Sequence, residues 1–236
     1  MTHRTIAFVL YPGLTILDLA GPLEVFGSFV DSASSAGLPE SYEIALVAED
    51  LEPMATDTPL GITANKTFAE VPHLFAVFVP GGSGPTVRAL TNDALLEYLR
   101  STAQTAEIVG SICTGAILLA GAGLLAGRRA TTHWSFHGVL DRMGAFYVPE
   151  RWVEDGKFIT AAGVSAGIDM ALHVVGRLGG DAVAREVQLI IEYDPQPPLG
   201  PIDWGSVDRD ALASWVEGVL RGSLAGRPDL LLRLAG

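Results

Sequence analysis

The sequence predicts an α/β fold, a mostly parallel sheet sandwiched by helices. Three observations carry that reading. Short apolar runs at Thr5 to Leu10, Tyr42 to Ala48, Leu74 to Val79 and up to Ile112 have the length and composition of buried strands. Segments of helical character alternate with them, and that order covers both faces of a parallel sheet. The single cysteine, Cys113, falls on a sharp strand-to-helix turn, the geometry of a nucleophile elbow.

Each element follows from its local sequence. The first strand ends at Tyr11-Pro12-Gly13. A helix is expected over Thr15 to Phe29, with Pro22 tolerated near a first turn or at a kink. After the second strand, Met54 to Ala64 reads as a small hairpin broken by Thr58-Pro59-Leu60-Gly61. The third strand closes in Pro80-Gly81-Gly82-Ser83-Gly84, and a helix follows over Asn92 to Thr105. Beyond the elbow come a helix near Trp134 to Met143, a hairpin around Trp152 to Thr160, and helices over Ser165 to Leu178 and Asp181 to Tyr193. Asp194 to Pro201 is proline-rich and irregular, and Asp210 to Arg221 is an amphipathic helix. No repeat or linker-like segment divides the chain, so residues 1–236 are expected to form one domain with a helical extension from about residue 202.

Composition narrows the function. Apolar residues make up 49% of the 236 and charged ones 18%, so the chain is a folded globular protein. A formal charge of −12 argues against binding a phosphate backbone. One cysteine forms no internal disulfide, which suits a reducing cytoplasm. The N-terminal apolar run has no small-residue cleavage site before Pro12, so it reads as a strand and not as a signal peptide. No apolar stretch reaches the ~18 residues of a membrane span.

In such sheets, sites form at the carboxyl ends of strands. Three loops are expected there: after Leu10, after Val79 and at Cys113. At the elbow, free backbone N–H groups and the helix dipole favour a thiolate. A nucleophilic thiol wants a proton donor or base nearby. Asp18 is the best candidate, an acid inside the apolar stretch Ile16 to Pro22; its bland alternative is a first-turn or capping role. Glu24 could play the same part but reads as solvent-facing. The glycine-rich Gly81 to Gly84 lacks the lysine of a phosphate loop. Backbone N–H groups serving as an oxyanion-type site suit it better, with Gly82 the first choice. His133 and His137 could share a helical face, but without another close ligand a metal site is not expected. Phe26, Trp134 and Tyr193 are aromatics that could line a pocket or belong to the core.

Together these residues resemble the ThiJ/PfpI superfamily, with its class I glutamine-amidotransferase-like (flavodoxin-like) fold, and within it the isonitrile hydratases. The resemblance runs through Asp18-Leu19-Ala20-Gly21-Pro22, Pro80-Gly81-Gly82, Ser111-Ile112-Cys113-Thr114-Gly115 and Gly123 to Trp134. It continues in Gly163 to Asp169 and Gln188 to Pro198, covering roughly residues 4 to 200. It implies Cys113 as nucleophile, Asp18 as catalytic acid and base, and Thr114 as an assisting residue that hydrogen-bonds the sulfur or the carboxyl group. Gly81, Gly82, His133 and Trp134 are the expected substrate-binding residues. The implied reaction adds water to an isonitrile through a cysteine thioimidate, with no metal or organic cofactor and with a homodimer as the working form. Histidine does not follow the cysteine, which places protease and glyoxalase activities in doubt. Two other readings exist in the same superfamily: a ligand-sensing domain related to AraC-type regulators, and a redox protein whose cysteine oxidises to a sulfinate. The ~35 residues after Pro201 are short for the helix-turn-helix segment of such a regulator.

Overall fold

A computed structural model describes residues 2–235. In chain order, β1 (Thr2–Val9) leads through a loop to α1 (Ile16–Ser35) and β2 (Glu40–Ala48). A small antiparallel hairpin of β3 (Met54–Ala55) and β4 (Gly61–Ile62) follows, then the short β5 (Lys66–Thr67) and β6 (Ala76–Val79). Helices α2 (Gly84–Ala89) and α3 (Asp93–Thr105) precede β7 (Ile108–Ile112), and α4 (Gly115–Gly121) leaves the elbow. The pair β8 (Arg129–Ala130) and β9 (Phe146–Tyr147) brackets a short 3-10 turn and α5 (His137–Arg142). The chain ends through β10 (Trp152–Asp155), β11 (Phe158–Ala161), α6 (Ala166–Gly179), α7 (Asp181–Ile190), α8 (Ala213–Ser223) and α9 (Pro228–Leu234).

Seven strands form one sheet in the order β10-β11-β7-β6-β1-β2-β5, parallel except for the β10–β11 edge hairpin. The central strands are apolar along their whole length because helices cover both faces: β6 and β7 have no exposed residue. Helices α1, α6 and α7 pack together, while α2 to α5 with α8 and α9 make a second group. Phe8, Phe26 and Phe78 interlock between β1, β6 and α1 at ring separations of 5.0 to 6.1 Å. Phe26 is therefore core and not pocket lining. No helix among the described residues is long and apolar enough to cross a membrane.

The expected elements are found, with local differences. Pro22 sits in the interior of α1, where its ring packs against the backbone of α6 at Gly167. The glycine-rich segment leads straight into α2, a helix hidden from sequence by its brevity. Helix α7 stops at Ile190 because Glu192 turns into a left-handed conformation at φ +50°. The last part of the chain holds two helices, α8 and α9, where one was expected; Pro228 at the start of α9 is its sequence signal.

Because β6 lies between β1 and β7, the loops leaving these three strands meet. Thr15 N–H donates to the Gly81 carbonyl at 2.8 Å, tying the first loop to the second. Gly115 makes the third approach possible: a Cβ there would lie 2.0 Å from the Val79 carbonyl oxygen. Gly115→Ala should therefore lower the unfolding free energy measured in a urea titration by about 3 kcal/mol. Gly27→Ala, in the middle of α1 with open space around it, should raise stability by up to about 1 kcal/mol in the same titration.

Candidate active site

The elbow is held by main-chain bonds on every side. Cys113 adopts φ +56°, a conformation that costs a side-chain-bearing residue about 1–2 kcal/mol. Its N–H is shared between the carbonyls of Ala161 and Ala162 at 3.0 and 3.1 Å, and its own carbonyl accepts from Thr132 Oγ1 at 3.0 Å. These contacts over-determine the turn and so sustain its strain. The thiol is 4% exposed, with the backbone N–H groups of Thr114 and Val164 aimed at it. Those two donors favour the thiolate, but burial and the nearby Asp18 carboxyl outweigh them and push the thiol well above its usual range. At this elbow desolvation works against the thiolate that the helix terminus favours.

Asp18 stands in the first turn of α1 but does not cap it. Asp57, from the β3–β4 hairpin, accepts the Ile16 N–H at 2.9 Å and takes that task. Asp18 is fully buried; its Oδ2 accepts the Gly81 N–H at 2.9 Å, and its Oδ1 has no hydrogen-bond partner. Burial raises its pKa to about 7, against the lowering pull of the Gly81 N–H and the thiol of Cys113. The two groups are near enough that each perturbs the other's ionisation, the carboxyl raising the thiol's pKa and the thiol lowering the carboxyl's. Glu24 points to solvent.

Thr114 does something other than expected. Its Oγ1 accepts the N–H groups of Gly82 and Ser83 at 2.9 and 3.0 Å and lies 3.0 Å from Thr86 Oγ1. Thr86 in turn lies 2.8 Å from the Tyr11 hydroxyl, which donates to the Pro80 carbonyl at 2.8 Å. Each hydroxyl has one proton, so the row has one arrangement: Tyr11 donates to Pro80, Thr86 to Tyr11 and Thr114 to Thr86. The Thr114 hydroxyl is fully committed and reaches neither sulfur nor carboxyl; its contribution to the thiol is its backbone N–H. The Gly82 N–H is likewise taken by Thr114 and the Gly81 N–H by Asp18. Neither glycine offers a free donor to substrate, which corrects that expectation too. Gly81 is required for fit, since a Cβ there would lie 2.7 Å from Asp18 Oδ2 and 2.6 Å from the Thr114 nitrogen.

A cavity of about 500 Å³ opens beside the elbow. Thr132, His133, Ala162, Gly163 and Val164 form the wall it shares with the thiol; Cys113 and Asp18 lie behind that wall and do not line the cavity. Trp134 does line it and Tyr193 does not. Burial lowers the His133 pKa, keeping the ring neutral, and its Nδ1 lies 2.8 Å from Ser135 Oγ. His137 bonds instead to the Trp134 carbonyl, so the two histidines share no ligand position.

Sequence reasoning missed Tyr11, Asp57, Thr86 and Val164, whose roles exist only through tertiary contact. Val164 carried one hidden mark: φ +20°, unusual for a β-branched residue and legible only in three dimensions.

The pattern of the DJ-1/PfpI family matches residues 4–177. An isonitrile hydratase of Pseudomonas putida is 40% identical over 203 residues, covering 86% of this chain and 83% of that protein. The HTH-type transcriptional regulator CdhR of Pseudomonas aeruginosa is 30% identical over 188 residues, 76% of this chain but only 52% of the regulator. Among solved structures, a ThiJ/PfpI family protein from Pseudomonas syringae superposes with a TM-score of 0.79 at 34% identity, covering all of this chain and 92% of that one.

Two measurements check this geometry. Thr114→Val strands the Gly82 and Ser83 N–H groups and should cost about 2–3 kcal/mol in urea unfolding, whereas Thr114→Ser should cost much less. The native state keeps the Asp18 proton up to about pH 7, whereas the unfolded chain releases it near pH ~4. Unfolding free energy therefore falls as pH rises between those values, by up to about 4 kcal/mol. Asp18→Asn removes this titration, so its stability relative to the native protein should grow between pH 4.5 and pH 8.

Proposed function

The chain belongs to the DJ-1/PfpI family, and on that premise we propose that it hydrates isonitriles to N-substituted formamides, with Cys113 as nucleophile and Asp18 as acid and base. One observation carries the reading. A buried carboxyl with an unpartnered oxygen and a pKa of about 7 stands beside the chain's only thiol. Such an oxygen lacks a proton, water or substrate atom to satisfy it, and acid–base work supplies one.

Near and above pH 7 the pair holds one proton, resting on sulfur with Asp18 ionised. As the sulfur attacks the terminal carbon of R–N≡C, the S–C bond forms and Asp18 takes the thiol proton. Asp18 then delivers it to that carbon, giving the thioimidate R–N=CH–S–Cys113. Water adds next: its oxygen bonds the carbon while Asp18 accepts a proton and passes it to nitrogen. Breaking the C–S bond releases R–NH–CHO, and the hydroxyl proton returns through Asp18 to the thiolate. The N–H groups of Thr114 and Val164 steady the sulfur while it carries charge. The isonitrile head is two atoms long and linear, a shape suited to a thiol set behind the cavity wall.

A homodimer in the cytoplasm accompanies this reading through the family. The redox alternative needs a thiol of low pKa, and burial works against that here. A sensor role would separate by experiment, since it requires ligand binding without turnover.

Formamide release from a simple aryl isonitrile should be absent in Cys113→Ala; unchanged release would sink the account. In the native protein kcat/KM should rise tenfold per pH unit below about 7 and level above it. Asp18→Asn should lose this profile together with at least a hundredfold in rate.

A further inference from the structure

The cavity carries a positive balance in a strongly acidic protein. Arg151, Arg209 and Glu150 line it, in a chain with 27 acids against 15 lysines and arginines. Two of the three are satisfied within the fold: Arg151 pairs with Asp169 and Ser165, and Glu150 lies 3.5 Å from Arg129. Arg209 differs. No carboxylate lies within ion-pairing distance of it among the described residues. Its neighbours in sequence face elsewhere, Asp208 accepting the Asp210 N–H and Asp210 lying 3.5 Å from His137. Neutral groups hold the guanidinium in place: Nη1 donates to the Tyr147 hydroxyl at 3.2 Å, and the carbon of the head sits 5.6 Å from the Trp204 ring centre. Most of its five donors stay available.

Around it the cavity is apolar, walled by Leu17, Trp134, Tyr147, Ile202 and Trp204. We infer that the substrate is an isonitrile with an aromatic or bulky apolar body and a carboxylate at the end remote from the N≡C group, and that Arg209 receives this carboxylate. The inference rests on the isonitrile reading above. A planar guanidinium fork matches a carboxylate in two parallel bonds, and the aromatic walls suit the apolar body.

The test compares 4-isocyanobenzoate with its methyl ester, which has the same body without the charge. The ratio of kcat/KM, acid over ester, should be at least ten in the native protein and should fall toward one in Arg209→Gln. Arg209→Lys, which keeps the charge but not the fork, should retain part of the preference. Binding of the product anion 4-formamidobenzoate, followed by tryptophan fluorescence, should weaken at least tenfold in Arg209→Gln. Hydration of both compounds at a ratio near one, or a ratio that Arg209→Gln does not alter, overturns the carboxylate inference and leaves the hydratase reading standing. Hydration of neither compound defeats the hydratase reading and the inference with it.

Discussion

The site depends on a single hydrogen bond, from the Gly81 N–H to Asp18 Oδ2. It joins α1 to the loop after β6, and it gives a fully buried carboxyl its one partner. A carboxylate without any such donor would be expelled from the interior or locked in its neutral form. With one donor and one orphan oxygen, Asp18 is left between those limits. The absence of a side chain at Gly81 is what admits this approach, because a Cβ would occupy the space where carboxyl, Thr114 nitrogen and loop backbone meet.

The cysteine and the aspartate are one chemical unit. Burial raises the proton affinity of both; the Asp18 carboxyl raises that of the thiol further, whereas the thiol lowers that of the carboxyl. A lone thiol at a helix start would be tuned by the backbone alone. Here burial and the Asp18 carboxyl outweigh the backbone donors of Thr114 and Val164 and favour the protonated sulfur.

How much of this was legible in the sequence depended on distance along the chain. Cys113 and the elbow were readable because a buried strand, a lone thiol and a small-residue helix follow one another within a dozen residues. Asp18 was readable because an acid in an apolar stretch is locally anomalous. The alternation of strands and helices gave the meeting of three loops in advance. The Thr114 hydroxyl was misassigned because its partners lie 28 to 32 residues away, and the Tyr11 contacts span 69 and 75 residues. The state of the thiol could not be read from the elbow motif, since burial is a property of everything packed around it. Arg209 and Trp204 belong to the irregular stretch after Pro201, where no periodicity points to a cavity wall.

The row of hydroxyls from Thr114 through Thr86 to Tyr11 has a final consequence. A relay that conducts must be able to reverse every link, and this one ends on a proline carbonyl that has nothing to give back. It is a blind alley, closed at the far end and stapled to two amide hydrogens at the near end. No proton path therefore leads through the interior behind Thr114, and any exchange between Asp18 and solvent runs on the cavity side.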